Sequence, residues 1–400
     1  MAQDVAKLAG CFVSLATDPA QSRGRLHGEE ESPTRTVYQR DRDRIIHCGA
    51  FRRLKYKTQV FVYGEGENYR TRLTHSLEVS QIARSISRFV GLNEDIAEAL
   101  ALAHDLGHTC FGHAGEDVLQ ECMAAYNGFD HNAQGLRIVT KLEHRYAAFD
   151  GLNLTWETLE GLVKHNGPII KGNGAKDGKP VPLAITEYNA VQDLELATWP
   201  GPEAQTAAIS DDIAYNAHDF DDGLKAGLFP LDAVMELPLV GPIFKSVAGR
   251  YPNLERGRLI HESLRALIAA MVNDVILESH RRFKTLKPAS TADVRGLGQP
   301  LVGFSAEMAA HEKAVKSFLF TNMYRHTRVV RMTSKAKRIV RDLFDLLLAE
   351  PHLLPDDWHA GLDGPKTLKT ARRVADYIAG MTDKFALDEH ARLFDPTVKP

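Results

Sequence analysis

Cysteine is scarce in this chain, and its few copies lie far apart. The 400 residues contain four, at Cys11, Cys48, Cys110 and Cys122, and none belongs to a Cys-x-x-Cys pair. This spacing excludes a zinc knuckle and a thioredoxin-type redox motif. Because four cysteines cannot cross-link a chain of this length, we expect reduced thiols and a cytoplasmic protein.

Long hydrophobic runs and a large net charge are also missing. No stretch approaches the roughly 18 uncharged apolar residues of a membrane-spanning helix, and we identify no secretory signal in the first residues. The net charge of −3 argues against broad binding of nucleic acid. Between Arg35 and Arg72, however, ten Lys and Arg accompany four Asp and Glu, a surplus of six positive charges. Such a patch in a nearly neutral protein favours a compact polyanion as ligand.

Apolar residues recur mainly with the spacing of helices. After His75 they return every three or four positions at Ile82, Ile86 and Val90, and the same rhythm follows from Ile96. Further helices are predicted over roughly 131–145, 155–165, 203–220, 255–283, 306–322, 333–350 and 366–380. Strand-type alternation is rare, so the predicted fold class is all-α.

Three segments are predicted to be irregular. Residues 17–34 are polar and indicate a mobile arm, residues 166–188 indicate a long surface loop, and residues 286–304 form a connector rich in Pro and Gly. Long loops in compact proteins are often functional or disordered. His165, at the start of the second segment, is a weaker candidate for approaching a substrate.

The most informative stretch runs from Ala103 to Glu116 and reads Ala-His-Asp-Leu-Gly-His-Thr-Cys-Phe-Gly-His-Ala-Gly-Glu. A single histidine on a helix is more often structural than a ligand, but here three histidines, an aspartate and a glutamate fall within fourteen residues. Burying five ionisable groups together is costly unless a divalent cation compensates them. Adjacent His104 and Asp105 diverge by about 100° on a helix, so both reach one ion only near a helix end, which Gly107 marks.

Further ligands of such an ion have to come from other parts of the chain. His75 opens an amphipathic helix about thirty residues earlier. Asp211 lies in Ser-Asp-Asp-Ile-Ala-Tyr, where flanking apolar residues indicate a partly buried helix. On that helix Asp211, Tyr215 and Asp219 share one face. Imidazole and carboxylate ligands suit Mn, Mg, Fe, Ni or Zn without distinguishing among them.

The ordered series His … His-Asp … Asp resembles the HD-domain phosphohydrolases. The branch that it resembles most is the deoxyguanosinetriphosphate triphosphohydrolase-like family, and more distantly the SAM- and HD-domain dNTP hydrolases. The resemblance extends from about residue 42 to 222, through Arg70-Thr-Arg-Leu-Thr-His-Ser-Leu-Glu78, the stretch 103–116, Phe129-Asp-His-Asn132 and Asp211-Asp-Ile-Ala-Tyr215. It is thinner after about residue 225. Cys110 departs from the family, which commonly has proline there.

The resemblance implies a role for each matching residue. It implies four metal ligands, namely His75, His104, Asp105 and Asp211. It implies acid–base catalysis by His113 and Glu116. It implies that the triphosphate is held by Arg72, His108 and His131. It places Gln59, Val60 and Asp219 near the deoxyribose 3′-hydroxyl, and Tyr215 against the sugar, where the ring would crowd a 2′-hydroxyl.

The resemblance also implies an architecture and an activity. We expect an N-terminal arm over 1–41, an HD-domain helical core over 42–225, and additional C-terminal helices over 226–400 packed on that core. The expected reaction is metal-dependent hydrolysis of deoxynucleoside triphosphates to a deoxynucleoside and inorganic tripolyphosphate. Alternatives are an HD phosphohydrolase acting on nucleoside monophosphates or cyclic nucleotides, and a nucleotide-sensing scaffold with vestigial turnover.

Assembly and regulation are less closely defined by the sequence. Related enzymes form symmetric oligomers, so a homo-oligomer is expected, and an activating dNTP at a second site is possible. Residues 325–341 contain seven Lys and Arg and no acidic residue. This segment is interpreted either as a solvated helix face or as a second nucleotide or phosphate site at a subunit boundary. The preferred base is not predicted.

Overall fold

The protein has an all-α fold in a computed structural model that describes residues 5–60, 70–171 and 180–399, with the backbone of 174–175. The helices of the first half are α1 (Val37–His47), α2 (Gly49–Arg53), α3 (Arg72–Val90), α4 (Glu94–Ala103), α5 (His113–Cys122), α6 (His131–Arg137), α7 (Trp156–Lys164), α8 (Leu183–Asn189) and α9 (Pro202–Lys225). Those of the second half are α10 (Leu231–Met235), α11 (Val240–Arg250), α12 (Arg256–Leu286), α13 (Thr291–Gly296), α14 (Ala306–Leu319), α15 (Thr327–Ala349), α16 (Leu368–Gly380) and α17 (Asp383–Phe394).

Short elements join these helices. They are the 3₁₀ turns Val13–Leu15, Pro19–Gln21, Leu54–Tyr56, Ala124–Tyr126, Pro351–Leu353 and Asp356–Trp358, and the π-helical turns Ile138–Leu142 and Phe320–Tyr324. Two short strands, β1 (Ile170–Lys171) and β2 (Gly174–Ala175), pair antiparallel.

Helices α3, α4 and α9 pack together at the centre, with α1 against α4. Local sequence sets their ends. Helix α3 stops at Gly91, whose φ of 86° is the left-handed conformation that glycine adopts without strain. Helix α4 begins after Asn93, whose side chain accepts hydrogen bonds from the backbone N–H groups of Asp95 and Ile96. The short Gly91–Asn93 connection therefore holds α3 and α4 as neighbours.

The described residues form two hydrophobic cores. The larger core includes residues of α3, α4, α7 and α9 and extends beyond residue 225 to Met323. The smaller core joins residues 110–129 to the C-terminal helices α15, α16 and α17. The stretch 104–113 therefore connects the two cores, because Leu106 belongs to the larger core and Cys110 and Phe111 belong to the smaller one.

The predicted helices are all present, with shifted ends. Two of the predicted runs finish in π-helical turns, at 138–142 and 320–324, and α15 begins at Thr327 rather than near 333. Among the described residues, no helix combines the length and hydrophobicity needed to cross a membrane.

The prediction of long irregular segments was partly wrong. Within 166–188 lie a small hairpin and helix α8, whose Ile185 and Tyr188 are buried in the larger core; residues 172–173 and 176–179 are outside the described part. The connector 286–304 contains α13. In the 17–34 segment, the Arg25 side chain is buried against Asp41 at 2.5 Å. The prediction failed because glycine and proline are frequent in these segments, and the few residues that pack into the protein were too sparse to indicate regular structure.

Candidate active site

Three helices bring the sequence-predicted metal ligands to one place. Helix α3 carries His75 in its first turn, α4 ends immediately before His104 and Asp105, and α9 carries Asp211 midway. Gly107 allows the chain after α4 to pass close to α6, because a Cβ there would lie 1.9 Å from the carbonyl oxygen of His131. No side chain fits in that gap, so glycine is required.

The donor atoms of these residues converge. His75 Nε2 lies 2.8 Å from Asp211 Oδ1, and His104 Nε2 lies 3.7 Å from the same oxygen. His104 Nε2 is also 3.5 Å from Asp105 Oδ1. One donor atom each from His75, His104 and Asp211 falls within 4.8 Å of the others. The shared space is therefore lined by two imidazoles and the Asp211 carboxylate. Asp105 lies beside this group, next to His104, but its Oδ1 is paired with Arg72 Nη1 at 2.9 Å.

This donor set fits a divalent cation. His104 Nδ1 donates to the Ala101 carbonyl oxygen at 2.7 Å, which leaves the Nε2 lone pair free for a ligand. Among the described residues, His104 Nε2 and Asp105 Oδ2 are buried without a hydrogen-bond partner. Such orphaned atoms are rare in native interiors and costly, and a cation would satisfy both. The ligand types do not select among Mn, Mg, Fe, Ni and Zn.

Both carboxylates are held ionised. Burial opposes ionisation of Asp105, but Arg72 (Nη1 to Oδ1, 2.9 Å), His104 and His108 hold its pKa well below the ordinary value. Asp211 has a side chain that is 37% exposed; its partial burial also opposes ionisation, yet His104 and His75 lower its pKa. The site therefore presents negative charge to a cation.

A row of histidines lies beside these ligands. The rings of His108 and His131 stack with centroids 4.1 Å apart, and His108 Nε2 contacts Asp105 Oδ1 at 3.1 Å. Burial, and then the charges of Arg72 and His131, lower the pKa of His108 well below its usual value. The row thus begins at Asp105, a predicted metal ligand, and leads away from it.

Glu116 bridges two members of this row. Its Oε1 accepts from His131 Nδ1 at 2.6 Å, and its Oε2 lies 3.3 Å from His113 Nδ1. Burial alone would raise the pKa of Glu116, but the hydrogen bonds from His113 and His131 lower it below its ordinary range. Burial likewise opposes protonation of His131, but Glu116 raises the pKa of that ring. The result is an ionised carboxylate that favours protonated imidazole.

His113 opens helix α5 and is well exposed, with 68% of its side chain accessible. The backbone before it is unusual: Phe111 has φ 60° and Gly112 has φ 56° with ψ −133°. Only glycine readily adopts the second conformation, and a bulky residue at φ 60° is strained. The Gly112 position faces Arg72, whose Nη2 would lie 3.1 Å from a Cβ there. This turn places the His113 ring beside that of His108, with the ring centroids 5.3 Å apart.

Two buried residues hold this turn, and sequence reasoning missed both. Asp383, the first residue of α17, accepts from the backbone N–H of Thr58 at 2.9 Å and of Phe111 at 2.7 Å. Lys57 Nζ donates to the carbonyl oxygens of His108 at 2.6 Å and Ala379 at 2.8 Å. Burial lowers the pKa of Lys57 to about 7. Lys57 begins the segment Lys-Thr-Gln-Val-Phe, which shares the family resemblance, but it received no role from the sequence. No local motif marks Asp383, because it acts on a distant segment.

A second polar group lies further along α9. The hydroxyl groups of Tyr215 and Tyr324 contact each other, and Tyr324 donates to the carboxylate of Asp219. Burial raises the pKa of Asp219 to about 7. Tyr324, which the sequence analysis did not single out, ends the π-helical turn 320–324. Such turns are frequent at functional sites, but a single sequence does not reveal them.

The remaining predicted positions differ in how closely they approach the site. Gln59 lies over the Gly112 turn, and its Oε1 is buried without a described partner. Val60 packs against the larger core. His165 lines a small cleft with His104 and Asp211, and its Nδ1 donates to Leu162. Cys110 is buried in the smaller core.

Comparisons with known proteins agree with this geometry. The HD domain family model matches residues 72–216, and the phosphohydrolase-associated domain model matches 302–392. A deoxyguanosinetriphosphate triphosphohydrolase-like protein of Parvibaculum lavamentivorans is 66% identical over 381 residues, covering 95% of this chain and 96% of the relative. Proteins of the same description from Azorhizobium caulinodans (60% over 388 residues, covering 96% and 97%) and Mesorhizobium japonicum (59% over 384 residues, covering 96% and 95%) are also similar. The chain is therefore an HD-domain phosphohydrolase that belongs to the deoxyguanosinetriphosphate triphosphohydrolase-like family.

Proposed function

We propose that this protein hydrolyses deoxynucleoside triphosphates to a deoxynucleoside and inorganic tripolyphosphate, with a divalent cation held by His75, His104, Asp105 and Asp211. The main support is the row His108–His131–Glu116–His113, which begins at Asp105 and extends away from the cation ligands. A polyphosphate needs such a row of donors beyond its first phosphate, whereas a monophosphate does not. The names of the relatives agree with this substrate class.

The reaction requires charge neutralisation at the phosphate and a proton for the departing 5′-oxygen. A divalent cation held by His75, His104, Asp105 and Asp211 would supply Lewis-acid polarisation of the phosphate and activation of water. Arg72 keeps unused donors on its guanidinium, including an unpartnered Nε among the described contacts, and these can bind phosphate oxygens. Exposed His113 can reach the ester and deliver the proton, while Glu116 orients its ring.

The tyrosine group supports a preference for deoxyribose. Asp219 accepts from Tyr324 and can accept a further hydrogen bond, which suits a 3′-hydroxyl. The Tyr215 ring, in the same cluster, would crowd a 2′-hydroxyl. We propose that this cluster, with Gln59 and Val60, forms the sugar side of the site.

The test is product analysis. The purified protein with Mn or Mg is incubated with each dNTP and each rNTP, singly and in pairs, and the products are separated by chromatography. We expect tripolyphosphate from at least one dNTP, and none after Asp105→Ala. Asp232→Ala is the matched control, since it removes an exposed carboxylate on α10 that is not one of the proposed ligands.

Other outcomes would redirect the proposal. Release of orthophosphate, or turnover of monophosphates or cyclic nucleotides, would support the alternative HD phosphohydrolase. Activity found only in nucleotide mixtures would support an activating second site. Light scattering of the same sample tests the proposed homo-oligomer, and a monomeric mass would contradict it.

A further inference from the structure

The imidazole of His75, a proposed metal ligand, makes a second contact through its other ring nitrogen. While Nε2 faces Asp211, Nδ1 lies 3.3 Å from Nδ1 of His218, and the two rings meet edge to face at 82°. His218 is only 3% exposed and lies on α9, seven residues after Asp211. Two helical turns separate these residues, so they approach opposite sides of the same ring.

His218 is in turn backed by a carboxylate. Its Nε2 contacts Oε2 of Glu78, a residue one turn beyond His75 on α3. The other oxygen of Glu78 lies 3.4 Å from Arg70 Nε. Arg70 Nη1 is fixed by Asp221 at 2.8 Å and Asp222 at 2.9 Å. The contacts therefore run without a gap from His75 through His218 and Glu78 to an anchored guanidinium.

The direction of the hydrogen bonds in this series is determined by one condition. A neutral imidazole has one donor nitrogen and one acceptor nitrogen. If His75 Nε2 gives its lone pair to a cation, its proton is on Nδ1, and His218 Nδ1 has to accept. The proton of His218 is then on Nε2, where Glu78 accepts it. With a cation on His75 Nε2, the contacts allow only this order.

We propose that His218 and Glu78 are positioning residues that fix the tautomer and ring orientation of His75 for cation binding. Histidine ligands commonly donate their second N–H to a carboxylate, carbonyl or water in this way. His104, at the end of its helix, uses the Ala101 carbonyl instead. His75 sits in the first turn of a helix that continues, and its second nitrogen is served by the His218–Glu78 pair. The proposal rests on the proposed cation site.

The experiment measures Mn²⁺ affinity of the full chain by calorimetry after removal of bound metal. His218→Phe keeps a buried ring but removes both nitrogens, and we expect roughly 10–100-fold weaker binding, as for other partners of histidine ligands. Glu78→Gln keeps the side-chain length and should weaken binding in the same direction. Glu94→Gln is the matched control, because Glu94 pairs with Arg88 at the surface near the other end of α3.

Turnover gives a second readout. If the pair acts through the metal, saturating Mn²⁺ should restore most of the turnover of Glu78→Gln, which a general loss of structure would not allow. Binding of Mn²⁺ by both variants as tight as by Glu94→Gln would overturn the proposal. If His218→Phe fails to fold by circular dichroism, Glu78→Gln, whose side chain is 44% exposed, decides the question.

Failure of the cation site itself is distinguishable from failure of this inference. His104→Ala removes a proposed ligand without touching His218 or Glu78. Unchanged Mn²⁺ affinity in His104→Ala would refute the cation site, whereas loss in His104→Ala with no loss in His218→Phe would refute only the positioning role.

Discussion

Replacing Asp383 with alanine is expected to loosen the turn before His113 and to lower stability. In the native protein this buried carboxylate accepts from the N–H groups of Thr58 and Phe111 and from the Thr58 hydroxyl. The alanine variant leaves the two N–H groups buried without that acceptor. An unsatisfied buried donor costs about 1–3 kcal/mol, so the free energy of unfolding should fall by about 2–6 kcal/mol.

The assay combines urea unfolding, followed by circular dichroism, with hydrogen exchange measured on peptides that contain residues 58 and 111. Both amides should lose protection in Asp383→Ala, beyond the change in global stability, because their acceptor is gone. Turnover should also fall, since Phe111 lies two residues before His113. The control is Asp388→Ala, an exposed carboxylate on the same helix, which should change stability by no more than about 0.5 kcal/mol.

Two results would refute this reasoning. If Asp383→Ala and Asp388→Ala unfold at the same urea concentration, the buried carboxylate does not contribute as its contacts indicate. If the amides at 58 and 111 keep their protection while stability falls, another acceptor replaces Asp383 and the turn does not depend on it.

Three further variants test other features. Burial lowers the pKa of Lys57 to about 7, so between pH 7 and 10.5 this side chain is protonated in the unfolded chain but largely neutral in the native protein. The free energy of unfolding should therefore rise with pH over this range, and Lys57→Met should flatten that rise in urea unfolding. Gly107→Ala would push the backbone at 107 away from that of His131 and should lower the free energy of unfolding by about 3 kcal/mol or more. Gly249→Ala, in an open helical position, should be neutral or stabilising in the same assay. Tyr324→Phe removes the hydroxyl bound to Asp219 and should lower kcat/KM for dNTPs by about 10–100-fold, with a smaller effect on rNTPs.

The parts of the structure that the sequence predicted share a local or an ordered signal. The helices followed from apolar spacing over ten or more residues. The cluster at 103–116 was visible because several ionisable residues stand together, and His75 and Asp211 were identified because their motifs occur in a fixed order. The geometry groups His75, His104 and Asp211, with Asp105 next to His104, while the roles of all four stay predictions.

The parts that were missed depend on contacts between distant segments. Tyr324 is 105 positions from Asp219, and Asp383 is 272 positions from Phe111. Each is an ordinary residue in its own surroundings, so spacing and composition give no indication of its partner. His218 received no role from the sequence, because its contact with Glu78 depends on how α3 and α9 pack. Helix α8 was missed because glycine and proline dominate the segment around it.

The smaller core has a consequence for synthesis. Cys110, Phe111 and Val118 pack against helices that begin more than two hundred residues later. At about 5–20 residues per second, Asp383 is polymerised roughly 15–55 s after Phe111. During that interval the growing chain exposes an apolar surface that chaperones or neighbouring nascent chains can bind. The turn before His113 gains its hydrogen bonds to Asp383 only after the first residue of α17 has been synthesised.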